Sequence, residues 1–488
     1  MVIGFLFTAL TLFLAAYLRI SIASSLLVVD LGYELHQVFS LNQTTGLYNF
    51  SNIRYAAPPL GSLRFRAPLP PKVNRSEVQT GSVGMIYHAT VPAELFTNSS
   101  FSASLDVSTY PFALPEDPRI SEDCLFLDVV VPQKEDLAPV IVYFYGGGYV
   151  VGDKSGANPA GLIRRSQREG EDGVIYVALN YRERNPNAAL HDQRLGLIWV
   201  TQNIHLFGGQ SDWFTVMGVS AGSGAPAWEP KYDTDKEERT FRQYLKLLNV
   251  SSIKDARQIS SEKLIAANAY QVSSSLYGTF TYGPVVDGIF VLDLPGKMLL
   301  LRGEFDHNVK VLNGHTMNEA LMYTPPSSLQ DSGLSSLVDG NFPGISESMK
   351  GVILNVYPPI LDRNHGYSSW LERDSLALSD ICFQCKSYDL NHAHKDNSYS
   401  CVFSILPAMH WLDHPYTFYI KGEKPIAENP IFQVVNETPT SPLGPALEIY
   451  GSESRVLSLG LNNITVMRDP ACNARCVYWQ SAFDREGV

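Results

Sequence analysis

Positive charge is in short supply in this 488-residue chain: 37 Lys and Arg stand against 49 Asp and Glu, a formal net charge of −12. A surface of that sign argues against nucleic acid and anionic membranes as partners. The acidic excess is spread along the chain rather than gathered in a tail, and reads as ordinary solubility. Long hydrophobic runs are also lacking. Ile3 to Leu18 is apolar and uncharged but too short for a comfortable membrane span, and no other run reaches about 18 apolar residues. Arg19 ends that run and Ser21-Ile22-Ala23 offers a small-residue cleavage site, so residues 1–23 are expected to be a signal peptide despite a missing basic n-region. The mature chain is then expected to be soluble and secreted, with no transmembrane span. Repeats, low-complexity tracts and linkers are absent too, and residues 24–488 are expected to form a single domain.

What is present agrees with a secretory route. Asn42, Asn49, Asn74, Asn98, Asn249, Asn436 and Asn463 each begin an N-x-S/T acceptor without proline. In an oxidising compartment the six cysteines (Cys124, Cys382, Cys385, Cys401, Cys472, Cys476) are expected to form structural disulfides, with connectivity open. Cys382-x-x-Cys385 and Cys472-x-x-x-Cys476 also have spacings found in zinc and redox sites, but bridging is the better reading, and no metal or cofactor is expected.

Strand-like runs occur at Cys124 to Val131, Pro139 to Tyr145, Val174 to Asn180, Trp213 to Met217 and Val309 to Asn313. Between the third and fourth, residues 192–204 space Leu195, Ile198, Trp199 and Gln202 at helical intervals. This alternation predicts an α/β fold with a mostly parallel sheet. Glu237 to Leu248 is expected to be a helix burying Phe241, Tyr244, Leu245 and Leu248. The proline and glycine clusters at 56–71 and 325–343 are expected to be surface loops.

The run Trp213-Phe-Thr-Val-Met ends in Gly218-Val-Ser220-Ala-Gly222, a serine on a strand-to-helix turn flanked by glycines that keep neighbouring backbone clear. Pro226 and Pro230 follow where a supporting helix should run; proline costs about 3 kcal/mol inside a helix, so only about one turn can form after Ser220. A second strand runs into Tyr145-Gly146-Gly147-Gly148. Glycines there let backbone N–H groups approach an oxyanion, with Gly147, Gly148 and Ala221 as the candidate donors. Glu319 follows the strand ending near Asn313, and His410 lies in Pro407-Ala-Met-His410-Trp-Leu-Asp413. The order Ser220, Glu319, His410 is that of an α/β-hydrolase triad of nucleophile, acid and base.

These motifs resemble the type-B carboxylesterases, the group of cholinesterases and fungal esterases and lipases. The resemblance extends through Ile53-Arg-Tyr-Ala-Ala-Pro-Pro-Leu-Gly-Ser-Leu-Arg64-Phe, Ser121-Glu-Asp-Cys124-Leu-Phe-Leu, Asp192-Gln-Arg-Leu, Gly283-Pro-Val-Val-Asp-Gly288 and His410-x-x-Asp-x-Pro-Tyr416. It implies an α/β-hydrolase fold and a serine esterase acting on small-molecule esters through an acyl-enzyme. Ser220, Glu319 and His410 are then the triad, Gly147, Gly148 and Ala221 the oxyanion hole, and Arg64 and Glu122 a buried ion pair. The chain departs from the family at Val219, where a glutamate is usual, and at Cys124, which has no cysteine upstream to pair with. Segments are also missing near 182, 224 and 438, so a strand and helix after the nucleophile are expected to be absent. The alternative function is therefore a catalytically impaired, cholinesterase-like binding protein.

Overall fold

The computed structural model describes residues 27–482, apart from 44, 82–118, 134–136, 168–172, 183–186, 224–233, 280, 361–364, 419, 422–423, 426–444 and 462. The signal-peptide segment, Pro226 and Pro230, the sequons at Asn98 and Asn436, and the chain just beyond each apparent deletion lie outside the described residues.

The first sheet contains β1 (Ser40–Asn42), β2 (Leu47–Arg54), β3 (Phe126–Pro132), β4 (Ala138–Phe144), β5 (Ile175–Leu179) and β6 (Gly209–Gly218). Their spatial order is β1-β2-β3-β5-β4-β6. β4 runs parallel to both β5 and β6, while β1, β2 and β3 pair antiparallel. β5 is buried throughout and β4 at all but one residue, the continuous apolar pattern of strands covered on both faces. Between β4 and β5 lies helix α1 (Ala160–Ser166), and between β5 and β6 helix α2 (Ala188–Asn203). Asp192 of α2, fully buried, receives the backbone N–H, Nε and Nη2 of Arg182 at 2.7–2.9 Å, tying the helix to the end of β5.

The second sheet holds β7 (Val311–Thr316), β8 (Ser398–Phe403), β9 (Arg455–Leu459) and β10 (Ile464–Arg468), in that spatial order. Its first three strands are parallel. Among the described residues no ladder joins β6 to β7. Among the described residues β6 is therefore an edge strand; the expectation that a strand and helix are absent after Ser220 falls on residues 224–233, outside the described residues. Trp213 is 53% and Val216 49% exposed there, although they have the character of interior strand residues. The turn after Ser220 is a single 3₁₀ segment, Ser220–Ser223.

Helices α3 (Thr234–Leu247) and α4 (Ser261–Ser273) share a small core in which Tyr244 and Leu245 of the first and Leu264 and Ala267 of the second meet Leu248 and Ala256. Tyr244, Leu245 and Leu248 are buried as expected, but Phe241 is exposed, because this outlying pair of helices covers only a narrow stripe. Arg64 fastens the layer: it pairs with Glu122 at 2.6 Å and donates to the carbonyls of Arg257 and Ile259. The expected Arg64–Glu122 pair is present and buried.

Two expectations are corrected. Residues 325–343 are not a surface loop but contain α5 (Gly333–Asn341), which buries Leu334, Leu337 and Val338 in the second core. That core also takes α6 (Glu347–Val356), α7 (Trp370–Ser379), α8 (Cys385–Ala393) and α9 (Ala474–Ala482). The cysteines form one bridge, Cys385–Cys476, joining α8 to α9. Cys124, Cys382, Cys401 and Cys472 remain thiols: Cys124 is buried in the first core, Cys382 and the half-buried Cys472 belong to the second, and Cys401 lies on β8. No helix among the described residues is long and apolar enough to cross a membrane.

Candidate active site

Ser220 owes its position to two glycines. A Cβ on Gly218 would lie 2.2 Å from the Gly222 carbonyl oxygen, and one on Gly222 would lie 2.1 and 2.3 Å from the carbonyl oxygens of Tyr145 and Phe144. Only glycine allows the chain to turn so tightly against the end of β4. The Val219 N–H reaches back to the Phe144 carbonyl at 3.4 Å, and the Gly222 N–H closes the turn on Val219 at 2.8 Å. Ser220 itself is held at φ 54°, a left-handed conformation that costs a side-chain-bearing residue about 1–2 kcal/mol. Such strain persists where the surrounding structure enforces it, most often at functional sites.

The glycine loop lies directly beside this turn. The position a Cβ would take on Gly146 is 2.9 Å from both Ser220 Cβ and Trp411 Cζ3, which makes the serine, the loop and the His410 segment neighbours. Gly147 adopts φ 134° and Gly148 φ 62°, so the backbone curls back with Val150 and Val151 donating to the Gly147 carbonyl at 3.0 and 3.1 Å. Ala221 is buried at the start of the elbow turn.

Glu319 and His410 come from the loops after β7 and β8. Asn318 stitches the two loops together: its N–H donates to the Ala408 carbonyl and its side-chain amide to the Pro407 carbonyl, both at 2.8 Å. One Glu319 carboxylate oxygen accepts the Thr316 N–H at 2.7 Å; the other meets His410 Nδ1 at 2.5 Å. Both side chains are buried. Burial alone would raise the Glu319 carboxyl, but the charge and hydrogen bond of His410 outweigh it and hold the group below the ordinary carboxylate range. Burial likewise works to lower His410, and the Glu319 charge and hydrogen bond overcome it, with a further push from Asp413, leaving the imidazole above its usual value. Phe383 and Tyr323 flank the ring at centroid distances of 4.7 and 5.6 Å.

Of the expected triad, the structure brings Glu319 and His410 into direct contact. It seats Ser220 at the adjoining elbow without a hydrogen bond to the histidine: His410 Nε2, the ring nitrogen opposite the Glu319 contact, is buried with no partner among the described residues. Val219 leaves only an apolar side chain next to the nucleophile, packed against the core.

Three residues that hold the site were missed from sequence. Tyr143 OH meets His414 Nε2 at 2.9 Å, linking β4 to the His410 segment, and Trp411 stacks on His414 at 4.5 Å while its indole reaches Gly146. Burial drives His414 down to about 4, so it stays neutral at ordinary pH. The only signal in the sequence was an aromatic directly after His410 and a second histidine, His414, a turn further on.

Comparison with known proteins agrees with this architecture. Residues 37–227 match the model of the carboxylesterase family. The chain is similar to carboxylesterase patB of Penicillium expansum (35% identity, covering 94% of this chain and 96% of that one) and to patB of Aspergillus clavatus (35%, covering 97% and 99%). Those alignments run over 541 and 559 positions, more than this chain possesses, so the relatives carry segments with no counterpart here. The fold is similar to that of the crystal structure of Aspergillus niger EstA, with a TM-score of 0.77 at 23% identity over 94% of this chain and 98% of that one. With likeness along nearly its whole length to named carboxylesterases, the chain belongs to the type-B carboxylesterase family of carboxylic ester hydrolases.

Proposed function

We propose that this chain hydrolyses small-molecule carboxylic esters through an acyl-enzyme, with Ser220 as nucleophile, His410 as general base and Glu319 fixing the imidazole tautomer. The observation that carries the reading is the buried Glu319–His410 pair, with Nε2 left to accept a proton, beside a serine held on a strained turn. Glu319 on Nδ1 makes that nitrogen the donor, so Nε2 is the basic one. It takes the Ser220 proton as the hydroxyl attacks the ester carbonyl, and returns it to the departing alkoxide. The N–H groups of Gly147, Gly148 and Ala221 receive the negative oxygen; one such donor is worth about 10²–10³ in rate. Water then repeats the sequence on the acyl group. The chemistry calls for no metal or cofactor. Secretion is part of the proposal, supported by the apolar leader and by exposed acceptors at Asn74, Asn249 and Asn463.

The edge position of β6 among the described residues favours a second reading, a folded but impaired hydrolase that binds without turnover. A fluorophosphonate, which phosphonylates an activated serine, separates the two. The hydrolase reading expects labelling of the wild type and none of Ser220→Ala. A cooperatively melting wild type that neither labels nor hydrolyses a p-nitrophenyl ester would establish the second reading.

A further inference from the structure

Lysine is poorly suited to burial, yet Lys154, just beyond the glycine loop, is only 8% exposed. Its ammonium sits on both carboxylate oxygens of Asp128, each at 2.7 Å. Desolvation cancels much of the attraction in such a pair, so what it supplies over two apolar side chains is a fixed geometry rather than stability. We propose that Lys154 is a positioning residue that holds the glycine loop, and with it the N–H groups of Gly147 and Gly148, in register with Ser220. The inference rests on the hydrolase reading given above.

The clamp has several anchors. Asp128, on β3, also accepts the Asn52 N–H at 2.7 Å and the Ser51 hydroxyl at 3.0 Å, at the point where the β2 register shifts between Phe50 and Ile53. Asn52 sits there at φ 55°, and bulges of this kind recur beside active sites, where they re-aim a side chain or end a pairing. The Lys154 N–H donates to Asn180 Oδ1 at 2.9 Å, and the Asn180 N–H in turn donates to the Phe126 carbonyl at 2.9 Å. Backbone and ammonium of one residue are thus tied to the end of β5 and, through Asp128, to β3 and β2.

From that anchor to the oxyanion donors there is little slack. Gly152, two residues earlier at φ 115°, packs on the loop's start: a Cβ there would lie 2.4 Å from the Gly146 carbonyl oxygen and 2.6 Å from the Tyr145 ring. A Cβ on Gly147 would lie 1.8 Å from the Val151 carbonyl oxygen. Movement at Lys154 is therefore passed through backbone contacts to Gly146 and Gly147, and a displacement of about 1 Å at a reacting centre can cost about 10²-fold.

The test compares wild type, K154R, K154M and the double variant K154M/D128L, the last removing both charges so that no carboxylate is stranded. Each is assayed for cooperative melting, for kcat and KM on p-nitrophenyl butyrate, and for inhibition by an aryl trifluoromethyl ketone, whose hemiketal oxyanion probes the hole. Expected are folded K154M and K154M/D128L with kcat lowered about 30- to 100-fold, KM within about twofold, and ketone affinity weakened by the same factor as kcat. K154R should recover most of both. Folded variants with wild-type kcat and ketone affinity overturn the proposal, as does a loss of kcat with ketone affinity intact. A double variant that cannot fold also overturns it, since the pair then serves the fold and not the loop. A wild type inert to fluorophosphonate and ester fails earlier, at the hydrolase reading itself.

Discussion

Adding one methyl group at Gly222 should dismantle the site without touching any residue that does chemistry. Its Cβ would stand 2.1 Å from the Tyr145 carbonyl oxygen and 2.3 Å from that of Phe144, where ordinary contact begins at 3.4 Å. Both obstacles are backbone at the end of β4, so no rotamer relieves the clash and the elbow must part from the strand by more than an ångström. That shift displaces the Ala221 N–H, a candidate oxyanion donor, and strains the 3.4 Å bond from Val219 to Phe144. Overpacking of this kind costs about 1–3 kcal/mol of stability. The rate cost should be larger, about 10²-fold in kcat, or about 2.7 kcal/mol of barrier. Gly351→Ala is the control: it lies in the α6 helix with nothing within 4 Å of the added carbon, and should stabilise by about 0.5–1 kcal/mol with activity unchanged. The assays are thermal melting and the second-order rate of fluorophosphonate labelling. A Gly222→Ala protein with wild-type labelling rate and melting temperature would refute the account of the elbow.

Two further outcomes follow from the charges and the edges. Glu319 holds the protonated imidazole of His410, so the acid limb of kcat/KM, which rises as the base loses its proton, should have its midpoint above the ordinary histidine value of about 6.5. Glu319→Gln removes that charge and leaves burial to dominate: the midpoint should move to lower pH while kcat falls about 10³–10⁴-fold, and a midpoint that stays put contradicts the assignment. At the β6 edge, Trp213 and Val216 should drive concentration-dependent association, each exposing on the order of 50–100 Å² of apolar surface at about 25 cal/mol per Å². Trp213→Lys/Val216→Lys should shift the chain toward monomer in size-exclusion light scattering, and a wild type that is already monodisperse at high concentration would sink this expectation.

How far the sequence could be read depended on whether a feature was set by near neighbours. The elbow was legible because its constraint is local: glycines two residues either side of Ser220 are needed whatever the rest of the fold does. Strand cores were legible too, from continuous apolar runs, with β6 extending four residues ahead of the expected Trp213 start. Glu319 and His410 could be placed only by chain order and family resemblance, since nothing near either residue announces that they meet across 91 positions. The α5 helix was misread for the opposite reason. Its flanking prolines and glycines are strong local punctuation, and they masked Leu334, Leu337 and Val338, whose spacing is that of a buried helical stripe. The disulfide belonged to the unreadable part, because Cys385 and Cys476 are brought together by the packing of α8 on α9.

Among the described residues no ladder joins the two sheets, which changes what has to hold the site together. In an unbroken sheet, hydrogen-bonded ladders run from the strand bearing the nucleophile to those feeding the acid and the base, and fix their relative height. Here the described ladders stop at β6 and resume at β7. The burden passes to side chains that cross the break, Tyr143 on His414 and Trp411 over Gly146, while Asn318 binds the two loops of the second sheet into one piece. Such contacts fix position at a few points instead of along a continuous edge. The Glu319–His410 pair lies wholly within one sheet's loops and should survive loosening of the break. The approach of Ser220 to His410 spans it, which is where this architecture is most exposed to small displacements.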